Sequence, residues 1–211
     1  PPSRTGDEAA ERRAVALIEE YWRDREIRLH FTNVARKNVP WLVLRYGQDV
    51  SVTNIRRWRD YLYEAESFRT YAGGKYSGQR NHVNKFRKQY PDWRFDVCRP
   101  EDEGALIAFL REYDAVQRAK GSYLADEEMD EVYELVPKIG RFGLLCGLLR
   151  VGGKIVACSI GERCGDMVVV HVEKALRGYD GAYPMVAQQF ALAFTGGDVK
   201  YLNRMDDAGD M

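Results

Sequence analysis

The chain has 211 residues, 45% of them hydrophobic and 30% charged, with 32 basic and 32 acidic side chains and a formal net charge of zero. That length can bury a sizeable core, as one large domain or two small ones, and the charge balance argues against whole-surface binding to nucleic acid or anionic membrane, so any polyanion must bind at a patch. The longest apolar run, 142–149, is far too short to cross a bilayer, and no charged-then-apolar leader opens the chain, which predicts a cytoplasmic protein without an integral membrane segment.

In chain order, Ala10, Ala14, Leu17, Ile18 and Tyr21 form a helical stripe, followed by a short strand over 28–33. A second helix is expected over 34–46, with Pro40 delaying or kinking its start and Gly47 stopping it. Residues 50–63 read as extended. Next comes an amphipathic helix on which Tyr76, Val83, Phe86 and Tyr90 share one face, while Arg80, Asn84, Arg87 and Lys88 share another. The pattern then predicts a strand over 93–98, a helix over 101–119 with Leu106, Phe109, Leu110, Tyr113 and Val116 inward, and a helix over 126–139 capped by Asp126. Three strands follow, near 143–151, 154–161 and 166–174, with Gly152-Gly153 as the first hairpin turn. A helix over 181–195 and a strand over 199–203 close the series.

Between 75 and 94 the chain concentrates six basic residues, Lys75, Arg80, Lys85, Arg87, Lys88 and Arg94, against the single acid Asp92. Such a run is most often a solvated helix face, but its local density in a neutral chain also fits an anion site. The cysteines at 98, 146, 158 and 164 make no CxxC pair, and three lie in apolar strand-like runs where buried thiols act as small hydrophobes, so neither a zinc site nor a disulfide framework is expected. His30, His82 and His171 have no metal-spaced partners, and no P-loop, dinucleotide fingerprint or Ser-His-Asp order is present.

From residue 93 the predicted order is β-α-α-β-β-β-α-β, the core of the GNAT acyltransferase fold, an α+β protein built as an α/β/α sandwich. In that fold the fourth strand, a turn and the next helix shape an anion-binding cleft where two strands splay apart, and backbone N–H groups of the turn must face the ligand. The corresponding turn here is Arg177-Gly178-Tyr179-Asp180-Gly181-Ala182, which matches the acyl-CoA pattern only in part. Asp180 within it would repel a pyrophosphate.

The signature from Gly74-Lys75-Tyr76 through Arg80-Asn81-His82-Val83-Asn84-Lys85-Phe86, the strand pair 144–160, His171-Val172-Glu173-Lys174, Gly181-Ala182-Tyr183-Pro184-Met185 and Asn203-Arg204 ahead of two aspartates together resemble one family. It is the family of uncharacterised bacterial proteins similar to the C-terminal domain of phosphatidylglycerol lysyltransferase. The resemblance runs from about residue 10 to the end. It implies tandem GNAT-like domains related to the Fem-type peptidoglycan aminoacyltransferases, which take an aminoacyl group from a charged tRNA. On that basis residues 8–73 are the remainder of a first GNAT-like domain, 74–92 a connecting basic helix, and 93–211 a second GNAT-like domain truncated at its C-terminus.

Aminoacyl transfer needs a positioned acceptor, a group to take its proton, and donors for the developing oxyanion. Strict alternation along 166–174 sets His171 and Glu173 on one face, giving Glu173 as base or amine anchor with His171 orienting it. Asp206 and Asp207 at the other lip could bind an ammonium. Arg177, Gly178, Gly181, Ala182 and Tyr183 are the expected donor-binding turn. Lys75, Arg80, Asn84, Lys85, Arg87 and Lys88 are expected phosphate or tRNA contacts, and Tyr76 is either a base-stacking ring or core. Polar strand-end residues are also commonly structural. The expected donor is an aminoacyl-tRNA, alternatively acetyl-CoA, with no tightly bound cofactor or metal and a small-molecule or peptide acceptor. Two other readings stand beside it: an acyl-CoA-dependent N-acetyltransferase, and a non-catalytic tRNA- or protein-binding module of the same fold.

Overall fold

The structure is a computed structural model and describes residues 8–32, 34, 36–47, 50–54, 59–119 and 124–205. The chain divides into two compact units, Pro1–Trp58 and Arg59–Met211. In the first, α1 (Glu8–Arg23) and α2 (Val39–Tyr46) are fastened by Glu19, which accepts two bonds from the Arg45 guanidinium, at 2.8 and 3.0 Å, and one from the Tyr46 hydroxyl at 2.7 Å. A 3-10 turn over Arg36–Asn38 precedes α2, so the helix starts late, as Pro40 in its first turn requires. None of this unit's described residues is buried, and the strand expected over 28–33 does not form in residues 28–32. A strand there would need a sheet partner, and the first unit has no strand among its described residues.

The second unit is a six-stranded sheet in the order β1-β6-β5-β4-β3-β2, formed by β1 (Leu62–Glu64), β2 (Arg94–Val97), β3 (Leu145–Val151), β4 (Lys154–Cys164), β5 (Met167–Ala175) and β6 (Tyr201–Asn203). Every neighbouring pair is antiparallel except β5 and β6. Helices α3 (Ala65–Thr70), α4 (Ser77–Gln89) and α8 (Ala182–Phe194) belong with one face, whose core includes Phe68, Phe86, Val170, Met185 and Phe190. Helices α5 (Glu103–Arg118), α6 (Leu124–Leu135) and α7 (Ile139–Phe142) are the other set; Leu106, Leu110 and Met129 pack there with Leu148, Ile160 and Val172. This is the expected α+β sandwich of GNAT-like topology. Covered on both sides, β3 and β4 are buried almost throughout, which is why they read as continuous apolar runs. Gly152 and Gly153, at φ 57° and 81°, make the tight β3–β4 turn that favours two residues with positive φ.

Three boundaries differ from the sequence reading. The second unit begins at Arg59 and not at residue 93, because β1 pairs with β6 and α3 packs on α8. The basic helix α4 is accordingly part of this unit and not a connector: Val83 and Phe86 are buried in its core. Only Leu62–Glu64 of the extended stretch is a strand; Val50–Asn54 has no regular structure, and 55–58 lie outside the described residues. Helix α6 starts at Leu124, which places Asp126 inside it and not at its cap.

Candidate functional site

The parallel pair β5–β6 holds only from Met167–Val169 against Tyr201–Asn203. Parallel strands need a crossover, supplied here by α8, and beyond Val169 β5 continues to Ala175 without β6 beside it. Glu173 lies in that stretch, paired with Ser159 of β4 on one side and open on the other, and Arg204 follows the last residue of β6. The Arg204 guanidinium donates to the Glu173 carboxylate at 2.6 Å, and the Glu173 side chain retains only 9% exposure against 36% for Arg204. Burial pushes the Glu173 carboxyl above its ordinary range; Arg204 opposes that shift without cancelling it.

The pair faces a cavity of about 360 Å³. Its floor is aromatic: Phe68, Tyr71 and Tyr76 interlock with ring centroids 5.6, 5.7 and 6.3 Å apart, and the Arg204 guanidinium lies 5.4 Å from the centre of Phe68. Tyr71 ends α3 in a left-handed conformation and donates its hydroxyl to the Pro184 carbonyl at 3.0 Å, bracing the floor against the first turn of α8. Its own hydroxyl is held well above the ordinary phenol range by burial and by the Glu173 charge. Gly78, Gln79 and His82 of α4 form one wall, and Tyr183, Pro184 and Ala187 of α8 another. A carboxylate of raised pKa paired with a guanidinium, in a half-enclosed aromatic cavity, can take a proton from an acceptor and donate to a developing oxyanion.

His171 does not join Glu173. The β4–β5 register slips between Ile160 and Gly161, so that Ile160 faces Val172 while Gly161 faces Val170, and His171 is the extra residue of a bulge. That residue reverses the facing of everything after it: Val170 packs with α8, whereas Val172 packs with α5 and α6. Glu173 therefore turns to the cavity, and His171 lies on the opposite face, 3.3 Å from Glu162. The expectation that the two share a face is corrected by this bulge. Asp206 and Asp207 lie outside the described residues.

The expected donor turn is occupied by protein. Gly181 has φ 84°, and a Cβ there would stand 2.5 Å from the His82 carbonyl oxygen, so α4 presses directly on the N-terminus of α8. Ala182 is buried, its N–H bonded to the Tyr179 carbonyl at 3.0 Å, and Pro184 contributes no donor. Of the turn residues only Tyr183 lines the cavity; Arg177 and Gly178 are exposed outside it. Asp180, expected to repel a pyrophosphate, is paired with Lys85 at 2.9 Å.

The basic helix is likewise partly engaged. Arg80 donates to the carbonyls of Tyr71 and Gly73 and so ties the start of α4 to the end of α3. Arg87 donates to Gln188 at 3.1 Å and lies 5.6 Å from the Trp93 ring, and Lys75 is 4.8 Å from the ring of Tyr76. Asn84 and Lys88 are exposed. Tyr76 is 7% exposed, part of both core and cavity floor. The sequence reading missed Arg204, Phe68 and Tyr71 as site residues. Arg204 stood within the Asn203-Arg204 motif, which was the only available signal, and α3 is too short to show a period. Among the described residues, no group of His, Cys, Asp or Glu is arranged to hold a metal.

Residues 5–208 match the sequence profile of the family described as phosphatidylglycerol lysyltransferase, C-terminal. No match emerges among functionally curated proteins. Among solved structures, a conserved protein of unknown function from Bacteroides thetaiotaomicron superposes with a TM-score of 0.84 at 27% identity, over 93% of this chain and 67% of that one. The C-terminal domain of a putative lysylphosphatidylglycerol synthetase from Agrobacterium fabrum gives 0.60 at 15% identity, over 95% and 61%. L-PGS from Bacillus licheniformis gives 0.56 at 14%, over 91% and 58%. The last two share the fold, and the chain spans about three fifths of their length.

Proposed function

We propose that this chain, which belongs to the phosphatidylglycerol lysyltransferase C-terminal family, moves an aminoacyl group from an aminoacyl-tRNA to an amine or hydroxyl acceptor. Family membership supports a transferase-type role; donor and acceptor are our reading. The observation that carries it is the Glu173–Arg204 pair at the strand divergence, lining the aromatic cavity with the Glu173 carboxylate largely buried. Glu173 would accept the proton that the acceptor loses as it attacks the ester carbonyl, a task suited to a carboxylate whose pKa is raised by burial. Arg204 would donate to the carbonyl oxygen as charge develops on it. The aminoacyl–oxygen bond then breaks, leaving the deacylated tRNA. Exposed Lys85 and Lys88 on α4 would meet phosphates, since a surface ion pair such as Lys85–Asp180 exchanges partners at little cost.

The acyl-CoA alternative finds less support, because the turn that would cradle a pyrophosphate is covered by the His82 carbonyl of α4. The test uses the full-length protein with charged and uncharged total tRNA at fixed salt, alongside thermal denaturation with acetyl-CoA. Preference for charged tRNA, with acceptor-dependent loss of its aminoacyl group that Glu173→Gln abolishes, is the expected result. An upward shift with acetyl-CoA and no tRNA binding would overturn the proposal in favour of an ordinary acetyltransferase.

A further inference from the structure

A pair of cysteines lies away from the cavity. Cys98 directly follows β2, and the antiparallel register that sets Val97 opposite Gly147 continues to set Cys98 opposite Cys146 of β3. The Cys98 N–H donates to the Cys146 carbonyl at 2.8 Å. Residues opposed in this way have Cα atoms about 4.5–5.5 Å apart, within the roughly 4.4–6.8 Å that a disulfide bridges. Both thiols are free, and the Cys98 thiol donates to the Arg99 carbonyl at 3.7 Å. They differ in access: Cys146 is 2% exposed inside the core beneath α5 and α6, whereas Cys98 sits half-buried at the rim, next to Glu101, Asp102 and Arg150. A reactive rim thiol with a buried partner directly opposite is the arrangement in which an oxidised sulfur is resolved within one chain.

We propose that Cys98 and Cys146 are a peroxide-sensitive dithiol, in which hydrogen peroxide oxidises Cys98 and Cys146 closes an intramolecular disulfide on it. The Cys98 thiolate attacks one peroxide oxygen; the O–O bond breaks, hydroxide leaves and takes up a proton as water, and Cys98 becomes a sulfenic acid. The Cys146 thiolate then attacks the Cys98 sulfur; the S–S bond forms, the S–O bond breaks and a second water departs. Two thiols lose two electrons and one peroxide becomes two waters.

The local electrostatics run in the same direction. The neighbouring Cys146 thiol holds the Cys98 thiol below its ordinary range, against partial burial and the charge of Asp102, with Arg150 assisting. Cys146 is pushed up, first by the neighbouring Cys98 and then by burial. Conversion of Cys98 to a sulfenic acid removes the neighbouring thiol that raises Cys146, which favours the resolving step. Cys158 is paired with Leu148 rather than with either cysteine, and burial pushes it up to about 12, so it stays a thiol. The bridge would fasten the edge strand β2 to β3 and close the chain segment carrying α5, α6 and α7.

The test treats the reduced full chain with hydrogen peroxide, alkylates the remaining thiols after unfolding, and maps peptides by mass spectrometry. The expected result is joint loss of the Cys98 and Cys146 thiols into one cross-linked peptide, reversed by dithiothreitol, with Cys158 and Cys164 alkylated throughout. Cys146→Ser should instead accumulate a Cys98 sulfenic acid that dimedone traps, and Cys98→Ser, altered only at the rim, should melt like the parent and leave Cys146 unoxidised. Over-oxidation of Cys98 with Cys146 still alkylatable, prior oxidation of Cys164, or a Cys98 cross-link between two chains would each overturn the proposal.

Discussion

Arg204→Met separates the two contributions that set the Glu173 environment. Methionine keeps an unbranched apolar stem for Phe68 and deletes the guanidinium that bonds Glu173 at 2.6 Å. A hydrogen bond to a charged group contributes about 1.5–3 kcal/mol. Arg204 is 36% exposed, so water and solvent screening replace part of it, and a loss of about 2 kcal/mol at pH 8 is expected. That corresponds to a fall of about 4–8 °C in the melting midpoint for a unit of this size. The loss should depend on pH. Glu173 already has a folded pKa above its ordinary value of 4.5, and removal of Arg204 raises it further. An acid of raised folded pKa binds more protons folded than unfolded, so the stability associated with it is greatest below the unfolded pKa and falls as pH rises through the folded one. The variant should therefore approach the parent near pH 4.5 and diverge from it toward pH 8. In a Glu173→Gln background the same substitution should cost much less, because the charge to be paired is gone. Chemical denaturation of all four proteins at several pH values measures both effects. A loss that is constant with pH, or equal in the two backgrounds, would refute the claim that a buried ionised carboxylate is what Arg204 serves.

Gly181→Ala should destabilise the fold by about 1–3 kcal/mol, since it forces a side chain into a left-handed φ and sets a Cβ 2.5 Å from the His82 carbonyl; urea denaturation checks it. Gly78→Phe should leave the melting midpoint near that of the parent, because nothing lies within 4 Å of a Cβ at Gly78, yet block whatever the cavity admits. An active variant would mean that the cavity is not the site. Lys85→Glu breaks only an exposed pair with Asp180 and should not shift the midpoint, but on the tRNA reading it should weaken tRNA binding and flatten its salt dependence, as a filter-binding titration would show.

The parts of the fold that were legible in the sequence are those where one face is dry and the other wet. Helix α4 is the clearest: Tyr76, Val83 and Phe86 are buried and Asn84, Lys85 and Lys88 exposed, as the period demands. The Gly152-Gly153 hairpin declared itself through turn chemistry. The bulge in β5 did not, because the sheet is covered on both sides. Val168, Val170 and Val172 are all buried, so the alternation looks unbroken although the last of them packs on the opposite layer from the first two. An inserted residue shows in an alternating pattern only when one face is polar. The Glu173–Arg204 pair was hidden for a different reason: the crossover through α8 separates its members in the chain, and no local period connects them.

The position of α4 decides which part of this cleft is open to a ligand. A splayed parallel pair followed by a helix N-terminus offers two places for a ligand, the backbone donors of the turn and the space between the strands. Here α4 fills the first: the His82 carbonyl sits over Gly181, and Lys85 bonds Asp180. The second remains open and carries the Glu173–Arg204 pair. On the tRNA proposal, a helix that covers this turn while exposing Lys85 and Lys88 along its outer face would suit a donor held at a distance by its own polyanionic backbone better than one held by backbone amides at its phosphates. Withdrawing α4 from the turn should therefore not restore acetyl-CoA binding by itself, because Pro184 and the internally bonded Ala182 N–H leave the first turn of α8 short of donors. Lys85→Ala combined with His82→Gly, assayed by thermal shift with acetyl-CoA, should remain silent, and a shift would show that α4 alone had kept the cofactor out.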